Sequence, residues 1–261
     1  MFVKASTDPE RLEDYLTEAA IAEHLPLALA TPRLRGAAQH AGWVLLWSDA
    51  LDAHHPAQPW TAHDTRLVIN AIEQRIPLLT PSPVPALRAV ASMVGDAFRV
   101  WTDLVAARPR AVGVEDLDAW TAEHPPVLAR LEESWPTAAA GQTLCHFDPR
   151  ADNYLLDQGG ALWTIDWSRA CLAAPWVDLA TFLVTPGGDG HDAEQLFWSS
   201  PLSKGAGEQA LNAHLAVLAG YWLNAVAKTS ARSDERMAEL LDYQQRSLDG
   251  AMTWLRQRLR V

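Results

Sequence analysis

Two short apolar segments near the middle of the chain constrain its fold more tightly than anything else in the sequence. Tyr154-Leu155-Leu156 and Leu162-Trp163-Thr164-Ile165 are separated by the turn Asp157-Gln158-Gly159-Gly160, and that pattern reads as a β-hairpin. Just before it lies His146-x-Asp148-x-x-x-x-Asn153, and just after it Asp166-Trp167. The hairpin therefore delivers Asp166 close to Asn153, while the preceding loop holds Asp148. Two carboxylates and an amide gathered at the mouth of one hairpin are hard oxygen ligands. Such a set suits magnesium bound together with substrate phosphates.

The elements on either side give the order of the fold. Phe2-Val3-Lys4-Ala5 reads as a strand, and a helix follows from Asp8-Pro9, with Leu12, Tyr15, Leu16, Ala19 and Ala22 at helical spacing. Glu18 borders the buried face of that helix, so its carboxylate wants a cationic partner. Residues 33–40 and 43–49 read as two strands turning at Ala41-Gly42. Thr61-x-x-Asp64 resembles a capping box that opens another helix. Further helices are expected at 86–107, 114–134, 207–228 and 233–258, with a strand-rich stretch at 143–167. The expected class is thus α+β: a small strand-containing lobe, residues 1–51, and a mostly helical lobe, residues 52–261.

Composition narrows the function. A net charge of −11 argues against nucleic acid as a partner, since nothing would offset phosphate repulsion, and it suits a small cationic substrate. Cys145 and Cys171, the only cysteines, make neither a disulfide framework nor a Cys-x-x-Cys pair. Cys145 reads as a buried strand residue rather than a nucleophile. The N-terminus lacks a signal-peptide core and no uninterrupted apolar run approaches the ~18 residues of a membrane span, so no membrane is expected and the chain reads as cytoplasmic. No Gly-x-Ser-x-Gly elbow or His-Glu-x-x-His helix occurs, and His54, His55 and His63 read as solvated.

His146-x-Asp148-x-x-x-x-Asn153 has the spacing of a kinase catalytic loop, with a second Asp on the next hairpin. Here that second Asp sits in Ile165-Asp166-Trp167, and Pro175-Trp176-Val177-Asp178-Leu179-Ala180 follows. Together these resemble the aminoglycoside phosphotransferase and choline kinase family, whose fold is protein-kinase-like and bilobal. The resemblance implies ATP and Mg²⁺ as cofactors and a small-molecule hydroxyl as acceptor, on an aminoglycoside-like or other antibiotic or an amino alcohol. It makes Asp148 the residue that accepts or orients the hydroxyl proton, and Asn153 and Asp166 the metal ligands. His146 would brace the loop and Asp178 would be structural. Arg150 is placed either to neutralise Asp152 or to touch phosphate.

Lys4 and Glu18 match the family's phosphate-contacting lysine and its helix glutamate in order and approximate spacing. Ser48 to Ala50 correspond to the hinge on which adenine docks. One departure stands out: the family carries two strands and a phosphate-covering loop before the lysine strand, and here Lys4 is the fourth residue. An upstream start, a reduced lobe that binds nucleotide weakly, and a loss of kinase activity are the three accounts. The last would leave a catalytically weak or inactive kinase-like binding protein. Residues 186–200, with Asp189, Asp192 and Glu194, either line the acceptor pocket or form a solvated acidic loop.

Overall fold

The computed structural model describes residues 1–112, 117–232 and 237–259. The chain divides into two compact units, Met1–Leu87 with Gln142–Asp178 and Arg88–Gly141 with Leu179–Val261. The stretch at 143–167 thus groups with the N-terminal residues, whereas the expected division fell at residue 51.

In the first unit, β1 (Phe2–Ser6), β2 (Leu34–His40) and β3 (Trp43–Ser48) form an antiparallel sheet in the order β1-β3-β2. The β2–β3 turn has Ala41 at φ 47° and Gly42 at φ 82°. Two positive φ values in a two-residue loop give the twist that matches the flanking strands. Helix α1 (Pro9–Ala22) starts where the Leu12 N–H donates to the Asp8 carbonyl at 2.9 Å. It buries Ile21 with Leu25, Leu29, Leu79, Leu144 and Trp167 in one apolar cluster.

Two further small sheets hold the loop of interest. Strand β4 (Ala53–His54) pairs with β6 (Tyr154–Asp157), and β6 pairs with β7 (Leu162–Thr164). Strand β5 (Thr143–Cys145) pairs with β8 (Cys171–Ala173), placing the buried, free Cys145 opposite Cys171. Tyr154 lies opposite Thr164 and Leu156 opposite Leu162, so the hairpin has the register its sequence implies. Helix α2 (Ala62–Arg75) is capped by the Thr61 hydroxyl, which accepts from the Asp64 N–H at 3.0 Å. The capping box is only half made, because the Asp64 carboxylate accepts from the Ala57 N–H instead.

The second unit is helical among its described residues. The expected helix at 86–107 is divided into α3 (Val90–Val94), a 3-10 turn at Gly95–Phe98 and α4 (Val100–Val105). Gly95 takes φ 49°, a conformation no right-handed helix contains, and Arg99 breaks the path again at φ −120°. The helix expected at 114–134 begins outside the described residues, and the remainder is α5 (Ala119–Glu123) and α6 (Pro125–Ala138). The break falls at His124 because Pro125 has no N–H for a preceding turn and opens a helix of its own. Helix α7 (Val177–Gly188), which starts in the first unit, and α8 (Ala193–Ser199) were not expected. The last two, α9 (Glu208–Ser230) and α10 (Ala238–Leu259), agree with expectation, apart from residues 233–236 outside the description.

Buried tryptophans anchor these helices by their polar ends as well as their rings. Trp101 Nε1 donates to the Ala216 carbonyl at 2.7 Å, and Trp135 Nε1 donates to His214 Nδ1 at 3.0 Å. Glu132 accepts from the Trp101 and Thr102 N–H groups at the start of α4. Helix α9 has the length and composition to cross a membrane, with a mean hydropathy of 1.2 over an 18-residue stretch, although its uninterrupted apolar run, Leu215 to Leu223, is far shorter than a span. Yet 61% of that stretch is buried within the protein, as in a core helix.

Helices α7 and α10 approach so closely that a Cβ on Gly250 would lie 1.7 Å from the Val184 carbonyl oxygen. Backbone cannot yield as a side-chain tip can. Gly250→Ala should lower the unfolding free energy by roughly 1–3 kcal/mol despite alanine's better helix propensity, measured by urea titration. An unchanged midpoint would mean the helices separate freely.

Candidate active site

The site is organised around Asp178, which stands in the first turn of α7 and has no exposed surface. Its carboxylate accepts from Arg75 Nη2 at 2.6 Å, from the His146 N–H at 2.9 Å and from the Phe147 N–H at 2.9 Å. Arg75, in the last turn of α2, is also buried and reaches the Thr164 hydroxyl as well. Burial works against its charge, but the Asp178 carboxylate opposes that, and the guanidinium pKa stands above its ordinary value. Burial pushes the Tyr154 hydroxyl up to about 12, so the phenol stays neutral.

From this centre the loop extends outward. His146 has no exposed surface, and its Nδ1 accepts the Asp148 N–H at 3.3 Å. Its other nitrogen, Nε2, therefore carries the proton and donates to the Ile165 carbonyl at 2.8 Å. Burial, and then the nearby Arg75 charge, lower its pKa, so it remains neutral and braces the loop. Asn153 Nδ2 donates both to the Asp148 carbonyl at 2.8 Å and to its carboxylate at 2.9 Å. Burial raises the Asp148 pKa against the opposing pull of the Arg150 charge and the Asn153 hydrogen bond. Arg150 pairs with Asp152, with its Nε 3.0 Å from the carboxylate.

The returning strand closes the arrangement. The Ile165 N–H donates to the Asn153 carbonyl at 2.9 Å, which fixes Asp166 beside Asn153. Lys4 Nζ lies 2.8 Å from Glu18 and 3.3 Å from Asp166, so one ammonium bridges two carboxylates. Those two partners raise the Lys4 pKa in spite of burial. Asp166 is held below the usual carboxylate range, because Lys4 and a 2.6 Å bond from Ser168 overcome its burial. Both Asp166 (φ 61°) and Phe147 (φ 59°) sit in the left-handed region. Such backbone costs roughly 1–2 kcal/mol for a residue with a Cβ, and it clusters at working sites.

A cavity of about 460 Å³ opens onto these groups. Lys4, Glu18, Asn153 and Asp166 line its charged end, and Ser48, Ala50, Leu34, Leu51 and Leu155 line the rest. Asp148 stands behind Asn153 rather than on the cavity wall. The donor set fits magnesium: an ionised carboxylate and an amide oxygen supply two hard ligands. Among the described residues no three His, Cys, Asp or Glu side chains could hold a metal alone, so phosphate and water would complete the shell.

Residues 1–214 match the phosphotransferase enzyme family. The chain belongs to that family. No curated protein matches it, but solved structures share its fold. A choline kinase from Streptococcus pneumoniae aligns with TM-score 0.62 and 15% identity over 96% of this chain and 86% of its own. An aminoglycoside phosphotransferase from Alicyclobacillus acidocaldarius aligns with TM-score 0.54 and 14% identity over 99% and 85%. A thermostable aminoglycoside phosphotransferase mutant, solved with ADP and hygromycin B, gives 0.57 and 13% over 96% and 85%. The fold is therefore the α+β, protein-kinase-like one of this phosphotransferase family.

Against that family background two features refine the expectations. His55 is exposed, as expected, and it also borders the cavity, with its Nδ1 bonding the Tyr154 carbonyl at 2.9 Å. The acidic stretch at 186–200 is largely helical, and its charges are committed within the second unit. Asp189 meets Arg246 at 3.1 Å, Asp192 caps α8 on the Gln195 N–H, and Glu194 meets Arg258 at 2.6 Å. Cys145 is wholly buried, and that burial raises its thiol pKa well above the ordinary value, as for an inert core residue.

Removing the Asp178 charge would strand Arg75 in the interior. Asp178→Asn should cost about 3–5 kcal/mol of unfolding free energy, read from denaturant midpoints. A loss under about 1 kcal/mol would show that the pair is not the loop's anchor.

Proposed function

We propose that this protein is an ATP- and magnesium-dependent phosphotransferase of the cytoplasm that phosphorylates a hydroxyl of a small molecule. The carrying observation is the meeting of Lys4, Glu18, Asn153 and Asp166 on one cavity, with Asp148 bonded to Asn153. Magnesium bound there with the nucleotide would supply the positive charge that stabilises a transferring phosphoryl group. Asn153 and Asp166 are the residues to hold it. Lys4, seated by Glu18, meets the phosphates as a point charge. Leu34, Leu51 and Leu155 offer apolar walls to a base whose edge faces the backbone of Ser48 to Ala50.

Asp148 orients the acceptor hydroxyl and takes its proton as the oxygen attacks. Burial makes its carboxylate more basic than a free one, which favours that transfer. The Asn153 amide fixes one carboxylate oxygen, so the proton-accepting atom keeps its direction. A small hydroxylated amine, aminoglycoside-like or an amino alcohol, is the acceptor class in keeping with the net charge of −11.

The test is transfer of phosphate from ATP with magnesium across a panel of hydroxylated amines. Asp148→Asn should lower kcat by roughly 10²–10⁴-fold while leaving the melting curve in place, since an amide still accepts from Asn153. Undiminished transfer in that variant would sink the assignment. Transfer to no acceptor, with ATP bound, would favour a kinase-like binding protein.

The pH profile gives a second check with a defined sign. Asp148 must be ionised to accept a proton, and its pKa is raised by burial, so activity should fall on acidification through a limb above the free-aspartate value of about 3.9. A profile flat down to that pH would place the proton acceptor elsewhere.

A further inference from the structure

The cavity has a charged end and an apolar end, and one side chain stands at the junction. Asn153 and Leu155 both face the cavity, the first at the metal-ligand end and the second among apolar walls. Tyr154, between them in β6, turns its ring into the interior, as strand alternation requires. Its carbonyl is met by His55 Nδ1 at 2.9 Å. His55 therefore lies level with the peptide that separates the phosphate-facing residue from the base-facing one. It is brought there by β4, where Ala53 pairs with Asp157 and His54 with Leu156.

A carbonyl only accepts, so Nδ1 carries the imidazole proton. In that tautomer Nε2 presents an acceptor lone pair. Between the phosphates and the base of a nucleotide lies its sugar, whose hydroxyls are donors. Asp152 is already paired with Arg150 and Asp49 with Arg35, and the aliphatic walls carry no acceptor.

We infer that His55 recognises the nucleotide's ribose, with Nε2 accepting a hydrogen bond from a sugar hydroxyl. The inference rests on the nucleotide-binding reading above and adds a specificity residue to it: the site prefers a ribonucleotide to a deoxyribonucleotide. His55 is a positioning residue here, since it touches the sugar and not the reacting atoms.

Calorimetry with the full chain, magnesium and ATP, 2′-deoxy-ATP or 3′-deoxy-ATP tests this without any acceptor. One hydrogen bond corresponds to a roughly three- to tenfold change in Kd. The wild-type chain should bind ATP more tightly than at least one deoxy analogue by that factor. His55→Ala should lose the same factor for ATP and nothing further for that analogue. Should the alanine variant melt early, His55→Phe keeps the ring volume and is expected to give the same pattern. Equal weakening for ATP and both analogues would reduce His55 to packing and overturn the inference, as would no weakening at all. In either case nucleotide binding by the wild type would still stand. Absence of ATP binding by the wild type would remove the phosphotransferase reading and this inference together.

Discussion

The buried carboxylate of Asp178 is the interaction on which the rest of the site depends. A charge pair with almost no solvent contact is costly to assemble, and it persists only where geometry and extra hydrogen bonds offset desolvation. Asp178 meets that condition with one guanidinium and two backbone N–H donors. Those N–H groups belong to His146 and Phe147, the two residues before Asp148. The pair therefore ties the loop to the end of α2. His146 then carries the constraint further, taking the Asp148 N–H on one nitrogen and holding the Ile165 carbonyl with the other. Through that ring, one anchored carboxylate sets the positions of both Asp148 and Asp166.

This anchoring also explains how the chain tolerates left-handed backbone at Phe147 and Asp166. Glycine would remove the strain at either place, but it would also free the adjacent carboxylate to move. A side chain held in an unfavourable conformation by fixed hydrogen bonds gives a narrower distribution of positions. Catalytic geometry needs that narrowness more than it needs stability. Phe147 is held by the Asp178 carboxylate, and Asp166 by the Asn153–Ile165 bond before it and by Ser168 after it. Ala41 takes a similar φ in the β2–β3 turn for a different reason, since its partner Gly42 and the strand twist demand it.

What could be read from the sequence was the chemistry that lies close together along it. The loop from His146 to Asn153 and the hairpin to Asp166 span twenty-odd residues whose turn and alternation fix their register, so three oxygen-bearing side chains were legible together. Glu18 was legible because helical spacing put a carboxylate at the border of a buried face, and Lys4 fills the place of its cation. Arg75 was not legible, because nothing local marks it as the partner of a residue 103 positions away. His55 was legible as exposed, but its contact with the Tyr154 carbonyl was not, because that depends on the pairing of the two-residue β4 before it with β6. The long helix expected at 86–107 failed on Gly95, whose backbone freedom is used for a break that apolar spacing conceals.

Charge at the site now bears on the form in which a nucleotide would enter. Lys4 faces Glu18 and Asp166 together, and Asp148 stands one side chain behind. One ammonium against three carboxylates leaves this end of the cavity negative, which repels a bare triphosphate and welcomes a cation. Asp166, with a side chain 36% exposed, is the more open of the two carboxylates on Lys4. A divalent ion arriving on the phosphates would replace Lys4 as its counter-charge. Lys4 would then be left to Glu18 on one side and to phosphate oxygens on the other. Under the proposed function, therefore, metal and nucleotide would enter as one species, and the Lys4–Asp166 contact is the charge balance they would displace.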